Sequence, residues 1–114
     1  MTQGDKLTTV TRTDISSGYK TPQSIHSVVQ FSIEHSALYL EWNQKSNYLC
    51  CLETSLEKLY RLIDMLDLLK IRYSVFREPD IDMSIMKDNL TSITIEALDS
   101  KTHKSIFKKF KLVK

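Results

Sequence analysis

The chain has 114 residues, of which 41% are apolar and 26% charged, and a net charge of +2. That is enough for one domain with a modest core, and it excludes disorder throughout the chain. Two glycines and two prolines argue against a turn-dense all-β architecture, and no apolar run has the roughly eighteen residues of a membrane-spanning helix.

Met1 to Lys6 reads as a loose end. Met1 to Asp5 is polar and has no apolar signal core, so no secretory leader is expected. Leu7 to Arg12 is threonine-rich and β-prone, which predicts a strand. Asp14 to Tyr19 is a polar turn around Gly18. The first helix is expected from Pro22 to His35, because proline fits the first helical position, with Thr21 as its cap. Ile25, Val28, Val29 and Ile33, with Ser32, lie at helical spacing and would form its core stripe. Ala37 to Trp42 adds a short helix, and Asn43 to Asn47 a polar loop. Tyr48 to Leu52 is a continuous apolar run, suited to a central strand covered on both faces. Its neighbouring Cys50 and Cys51 would point to opposite faces. They are expected as reduced, small, buried apolar residues of a cytoplasmic protein.

Thr54 and Glu57 form a capping box. Leu56, Leu59, Ile63, Leu66 and Leu69 then mark a helix, with Arg61, Asp64 and Asp67 on its outer face. Lys70 suits the negative end of that helix. Arg72 to Arg77 reads as a strand ended by Pro79. Ile81 to Asn89 reads as a loop. Leu90 to Leu98 alternates well enough for a strand. Asp99 to Lys114 carries Lys101, Lys104, Lys108, Lys109, Lys111 and Lys114. Ile106, Phe107, Phe110 and Val113 recur there at helical spacing. This predicts a basic amphipathic helix that docks by its apolar stripe. The alternation of strands and helices indicates an α/β layer fold. The expected organisation is a flexible N-terminus (1–6), an α/β domain (7–98) and a basic C-terminal extension (99–114).

Chemistry concentrates between Gly18 and Ser27. Gln23 and His26 are three apart and share a helix face. A histidine one turn into a helix, beside an amide and after Lys20, suits proton transfer near an anion. The plain alternative is a surface histidine on a capped helix. No group of Cys, His and Asp has metal-ligand spacing, so neither metal nor cofactor is expected.

The order Arg12-Thr-Asp14-Ile15, Gly18, Gln23, His26 resembles the opening of the type II peptidyl-tRNA hydrolases. That family reads Arg-x-Asp-Leu and then Gly-Lys-x-Ala-Ala-Gln-x-x-His-Ala. Trp42, the strand Tyr48 to Leu52, the helix Leu56 to Leu69, the segment Val75 to Asp80 and the strand Leu90 to Ile95 follow in the family's order. The resemblance spans about residues 7–98. It implies a single small α/β domain, with a mixed four-stranded sheet flanked by helices on both faces. The departures are specific. Tyr19 stands at the family's lysine position and Lys20 follows it. Thr21-Pro22 replaces Ala-Ala, and the loop between Asp14 and Gly18 is about two residues shorter than the family's. Glu78 stands for an aspartate, and Ile81-Asp82-Met83 offers no counterpart of the family's Thr-Gln pair.

The implied reaction is hydrolysis of the ester joining a peptide to the 3′ end of tRNA. His26 is then the expected proton-transfer group. Lys20 would hold phosphate or the oxyanion, and Glu78 would orient His26 or Lys20. Gln23 and Tyr19 would contact substrate, and Lys104, Lys108 and Lys111 would meet the tRNA backbone. The alternative is a catalytically lapsed relative, a binding module for RNA or protein. Convergence of Lys20, His26 and Glu78 on one cleft would favour the enzyme. Lys20 pointing away, with Tyr19 filling the pocket, would favour the module. The sequence also leaves room for a homo-dimer.

Overall fold

The computed structural model describes residues 4–79 and 88–113. Its centre is the threonine-rich strand β1 (Lys6–Arg12), which pairs with parallel β2 (Tyr48–Thr54) on one side and antiparallel β4 (Leu90–Leu98) on the other. Strand β3 (Tyr73–Arg77) is antiparallel to β4, and the two-residue β5 (Lys111–Leu112) is antiparallel to β2. The described residues therefore build a mixed sheet of order β3-β4-β1-β2-β5, five strands where four were expected. Four helices complete this small α/β domain: α1 (Ser17–Glu34), α2 (Ser36–Lys45), α3 (Leu56–Leu68) and α4 (Ser100–Phe107).

Alternation along β1 and β4 separates two kinds of packing. Val10, Ile93 and Ile95 join Leu59, Leu62 and Leu66 of α3 and Phe107 of α4 in one apolar cluster. Leu7 joins Phe31 of α1 and Trp42 of α2 in a smaller one. Next to that smaller cluster the α1–sheet contact is polar. Ser27 Oγ and Thr94 Oγ1 share a hydrogen bond of 2.8 Å, and Ser92 Oγ donates to the Gln23 carbonyl at 2.6 Å.

This reverses the expected face of α1. Its buried residues are Lys20, Gln23, Ser24, Ser27 and Phe31, while Ile25, Val29 and Ile33 are exposed. The sheet face beneath the helix offers hydroxyls from Thr9, Thr11, Ser92 and Thr94. Helix α1 meets two of them: Ser27 bonds Thr94, and the Gln23 carbonyl accepts from Ser92, while Thr11 reaches the Leu52 carbonyl and Thr9 Oγ1 has no hydrogen-bond partner. A branched apolar residue at position 27 would leave Thr94 without its bond to the helix. The helix also begins at Ser17, earlier than expected, so that Pro22 lies within it and Thr21 is no cap. Gly18 sits in the first turn with open space around it, so no left-handed turn depends on it.

Other boundaries differ in similar local ways. The cap of α3 is Ser55, whose side chain accepts from the Lys58 N–H, in place of Thr54. Leu62 is buried in α3 and Leu69 is exposed. Lys70 adopts the left-handed conformation, φ 58°, and the Ile71 N–H closes on the Leu66 carbonyl at 2.9 Å. This is a Schellman closure made without glycine. Strand β2 is less covered than its composition suggested: Tyr48 and Leu49 at its start are exposed, and β5 pairs only with Leu52 and Glu53. Cys50 packs against the α3 cluster, and both cysteines are free and half-buried where full burial was expected. The last helix stops at Phe107, so Phe110 and Val113 lie beyond it. Most of the expected loop from Ile81 to Asn89, and Asp80 before it, falls outside the described residues.

Candidate functional site

Strands β1, β2 and β3 run in the same direction, because β4 is antiparallel to both β1 and β3. Their carboxyl ends share one edge of the sheet, and α1 starts just beyond it. In open α/β sheets this is the edge where ligands bind. It collects Arg12 from β1, Glu53 from β2, Glu78 after β3, Thr91 at the start of β4, and Lys20, Gln23 and His26 from α1.

Lys20 Nζ lies 3.0 Å from Glu53 Oε2, with both side chains 9% exposed. The charged head is therefore turned inward. One turn further along α1, Gln23 Nε2 donates to Glu78 Oε2 at 2.8 Å, and Gln23 Oε1 accepts from Thr91 Oγ1 at 2.6 Å. Both ends of the carboxamide are held, which fixes its orientation. The His26 ring stacks on Phe76, centroids 4.6 Å apart and planes 14° apart. Phe76 and Glu78 are two apart at the end of β3, so His26 and Glu78 flank Gln23.

Arg12 closes the other side. Its guanidinium makes a two-pronged contact with Asp14, at 2.8 and 2.7 Å, and donates to the carbonyls of Asp88 and Leu90. The Arg12 hydrogen bond holds the Asp14 carboxyl below its usual range, and Arg12's charge adds to this against the cost of burial. Asp88 is lowered in turn, first by the Tyr60 hydroxyl and then by the Leu90 N–H. Arg12 thus ties the first loop to the start of β4 and braces the edge.

Of the residues expected at the site, Lys20, Gln23, His26 and Glu78 all come to this edge, but not to one point. Lys20 meets Glu53, Gln23 meets Glu78, and His26 lies on Phe76. Tyr19 is 66% exposed and fills no pocket. Lys104, Lys108 and Lys111 are exposed. Lys111 pairs with Glu53 across the β5–β2 register, so the basic tail is anchored beside the edge. Trp42 is a core residue whose Nε1 donates to the Tyr48 carbonyl at 2.7 Å. Sequence reasoning missed Glu53 and Thr91. Glu53 carried a readable signal: it is the carboxylate that ends an apolar strand run, where a parallel strand meets its ligand edge. Among the described residues no group of His, Cys, Asp and Glu is arranged to hold a metal. No described helix is long and apolar enough to cross a membrane.

No protein-family model matches the chain, and no curated protein does. Among solved structures it is similar to a protein of unknown function from Agrobacterium tumefaciens strain C58. The TM-score is 0.64 at 15% identity, with 94% of this chain and 96% of that one covered. At that identity the likeness is one of fold.

Proposed function

We propose that this chain is a peptidyl-tRNA hydrolase-like protein that hydrolyses the ester between a peptide and the 3′ end of tRNA. The observation that carries this reading is the gathering of Lys20, Gln23, Glu53 and Glu78 at the carboxyl edge of the sheet, where the basic tail is also anchored. The small mixed α/β sheet with four helices is the coarse architecture the resemblance implies, and the separate apolar clusters of α1 with α2 and of α3 with α4 support helices on both faces. His26 is the proton-transfer group. Its exposed ring, flattened on Phe76, faces a substrate laid along the sheet edge on the β3 side of α1. Glu78 and Gln23 form a rigid pair beside it that positions the ester. Lys20 rests on Glu53 and meets the oxyanion or a phosphate only by exchanging that partner. The exposed lysines after Phe107 attract the nucleic-acid backbone without reading sequence.

A single-turnover assay with labelled peptidyl-tRNA tests the reading. His26→Ala should slow hydrolysis by about 10²-fold or more, the usual contribution of a positioned acid or base. Unchanged turnover in that variant would remove His26 from the mechanism. Tyr19→Lys restores a lysine to the family's position and should raise the rate.

One observation favours the second reading, a lapsed relative that binds without turnover: Lys20 is closed in with Glu53 while His26 lies apart on Phe76. On that reading the wild type shows no hydrolysis. It still binds tRNA in a salt-sensitive way, and the binding falls when Lys104, Lys108 and Lys111 become glutamine.

A further inference from the structure

Helix α1 buries Lys20, Gln23, Ser24, Ser27 and Phe31. The opposite face presents Pro22, Ile25, Val29 and Ile33, and the last three are 56%, 51% and 69% exposed. Large apolar side chains in one continuous helical stripe are unlike the singly scattered exposed residues of an ordinary surface. The stripe also lacks charge. Between Ser17 and Ile33 the only residue from the lysine, arginine, aspartate and glutamate set is Lys20, which is buried. Every other helix carries charges outward: Lys45 on α2, Glu57, Lys58, Arg61, Asp64 and Asp67 on α3, Lys101 and Lys104 on α4. The face of α1 that meets solvent in the single chain is therefore the one composed like an interface core.

We infer that this face is the contact of a homodimer, in which α1 of one copy packs antiparallel on α1 of a second about a twofold axis between Ile25 and Val29. Charge selects the occupant. A polyanion finds no cation here, whereas a twofold contact sets a patch against itself and so needs a patch without like charges. Spacing supports the same occupant. Gly18, Pro22, Ile25, Val29 and Ser32 repeat at alternating intervals of four and three, the seam of paired helices. Antiparallel pairing about that centre sets Ile25 on the partner's Val29, and Pro22 on the partner's Ser32. Large residues then meet each other at the centre, and a ring meets a small side chain at the ends. The seam from Gly18 to Ile33 is roughly 22 Å long at 1.5 Å per residue. One helix pair of that length covers less than the about 800 Å² per partner of a standard interface. The pair is therefore weak and forms reversibly with concentration. It does not depend on hydrolysis, since the site residues Lys20 and Gln23 lie on the opposite face of α1 and the His26 ring is turned off the seam onto Phe76 of β3.

Sedimentation velocity of the full chain, from micromolar to near-millimolar concentration, tests this. The wild type should move from its 13.3 kDa monomer towards twice that mass. Val29→Glu and Ile25→Lys should each stay monomeric, with an unchanged circular-dichroism spectrum because both sites are exposed. An equimolar mixture of the two variants should recover the dimer, since the glutamate at position 29 of one copy then meets the lysine at position 25 of the other. A wild type that stays monomeric throughout, or a dimer that persists in Val29→Glu, would overturn the inference. So would failure of the two variants to pair when mixed.

Discussion

At the scale of single residues, the buried ion pair between Lys20 and Glu53 sets the character of the site. Both groups have left water, so each depends on the other for compensation. Removing one partner strands a buried charge. Lys20→Met is therefore expected to lower stability by about 3–5 kcal/mol. Combining it with Glu53→Met should lower stability less than the two single changes summed, because the double change strands neither charge. Urea denaturation of the three variants measures the coupling. His103 makes a different residue-scale statement. Its Nε2 lies 3.0 Å from Thr8 Oγ1 and its ring is buried against Phe107. Burial first, and the charge of Lys6 second, hold its pKa below the ordinary value. The unfolded chain then binds a proton at His103 more readily than the folded one does. Stability is fully present above the unfolded value of about 6.5 and falls as pH drops below it, towards the lower folded-state value. Urea midpoints at neutral and mildly acidic pH should show that loss in the wild type. They should show less of it in His103→Asn.

At the scale of elements, two helices end on left-handed residues. Helix α2 is followed by Asn47, φ 64°, and α3 by Lys70, φ 58°. Asparagine tolerates that region, whereas a lysine there sets its Cβ against the backbone. Lys70→Gly should relieve the strain and raise stability by about 1 kcal/mol, read as an increase in the urea midpoint without a change in slope. The orientation of α1 is the other lesson at this scale. Its apolar spacing was legible, but the partner face was not weighed against it. Thr9, Thr11, Ser92 and Thr94 recur at every second position of their strands and announce a hydroxyl-bearing sheet face. Ser27, through Thr94, and the Gln23 carbonyl, through Ser92, are the helical groups that meet it.

At the scale of the molecule, the C-terminal segment is a latch. Helix α4 buries Phe107 in the main cluster with Val10, Leu52 and the leucines of α3. The Phe107 and Phe110 rings meet nearly edge to face, 5.5 Å apart. Strand β5 then closes part of the open side of β2, and the Val113 N–H reaches the Cys51 carbonyl at 3.1 Å. Phe107→Ala should cost about 3–5 kcal/mol. Replacing Lys104, Lys108 and Lys111 by glutamine should shift stability by no more than about 0.5 kcal/mol each, as exposed changes do. Thermal melting separates the two outcomes. It would show whether the tail's apolar residues hold the fold while its lysines remain available for a partner.

Periodicity within the chain was sufficient for what depends on near neighbours. The α/β class, the strands Leu7 to Arg12 and Leu90 to Leu98, the helix after Ser55 and the docking of Phe107 follow from alternation, leucine spacing and the apolar content of short windows. Helical spacing placed Lys20, Gln23 and His26 together at the start of α1, but nothing local joined Glu78, fifty-five positions from Gln23, to them. What required the folded chain were relations between distant segments. Which face of α1 turns inward depends on hydroxyls from β4. The Lys20–Glu53 pair joins residues thirty-three positions apart. The fifth strand exists because two residues near the C-terminus find the free side of β2. None of these is encoded in a local window, since each is decided by which polar groups must find partners once the sheet has closed.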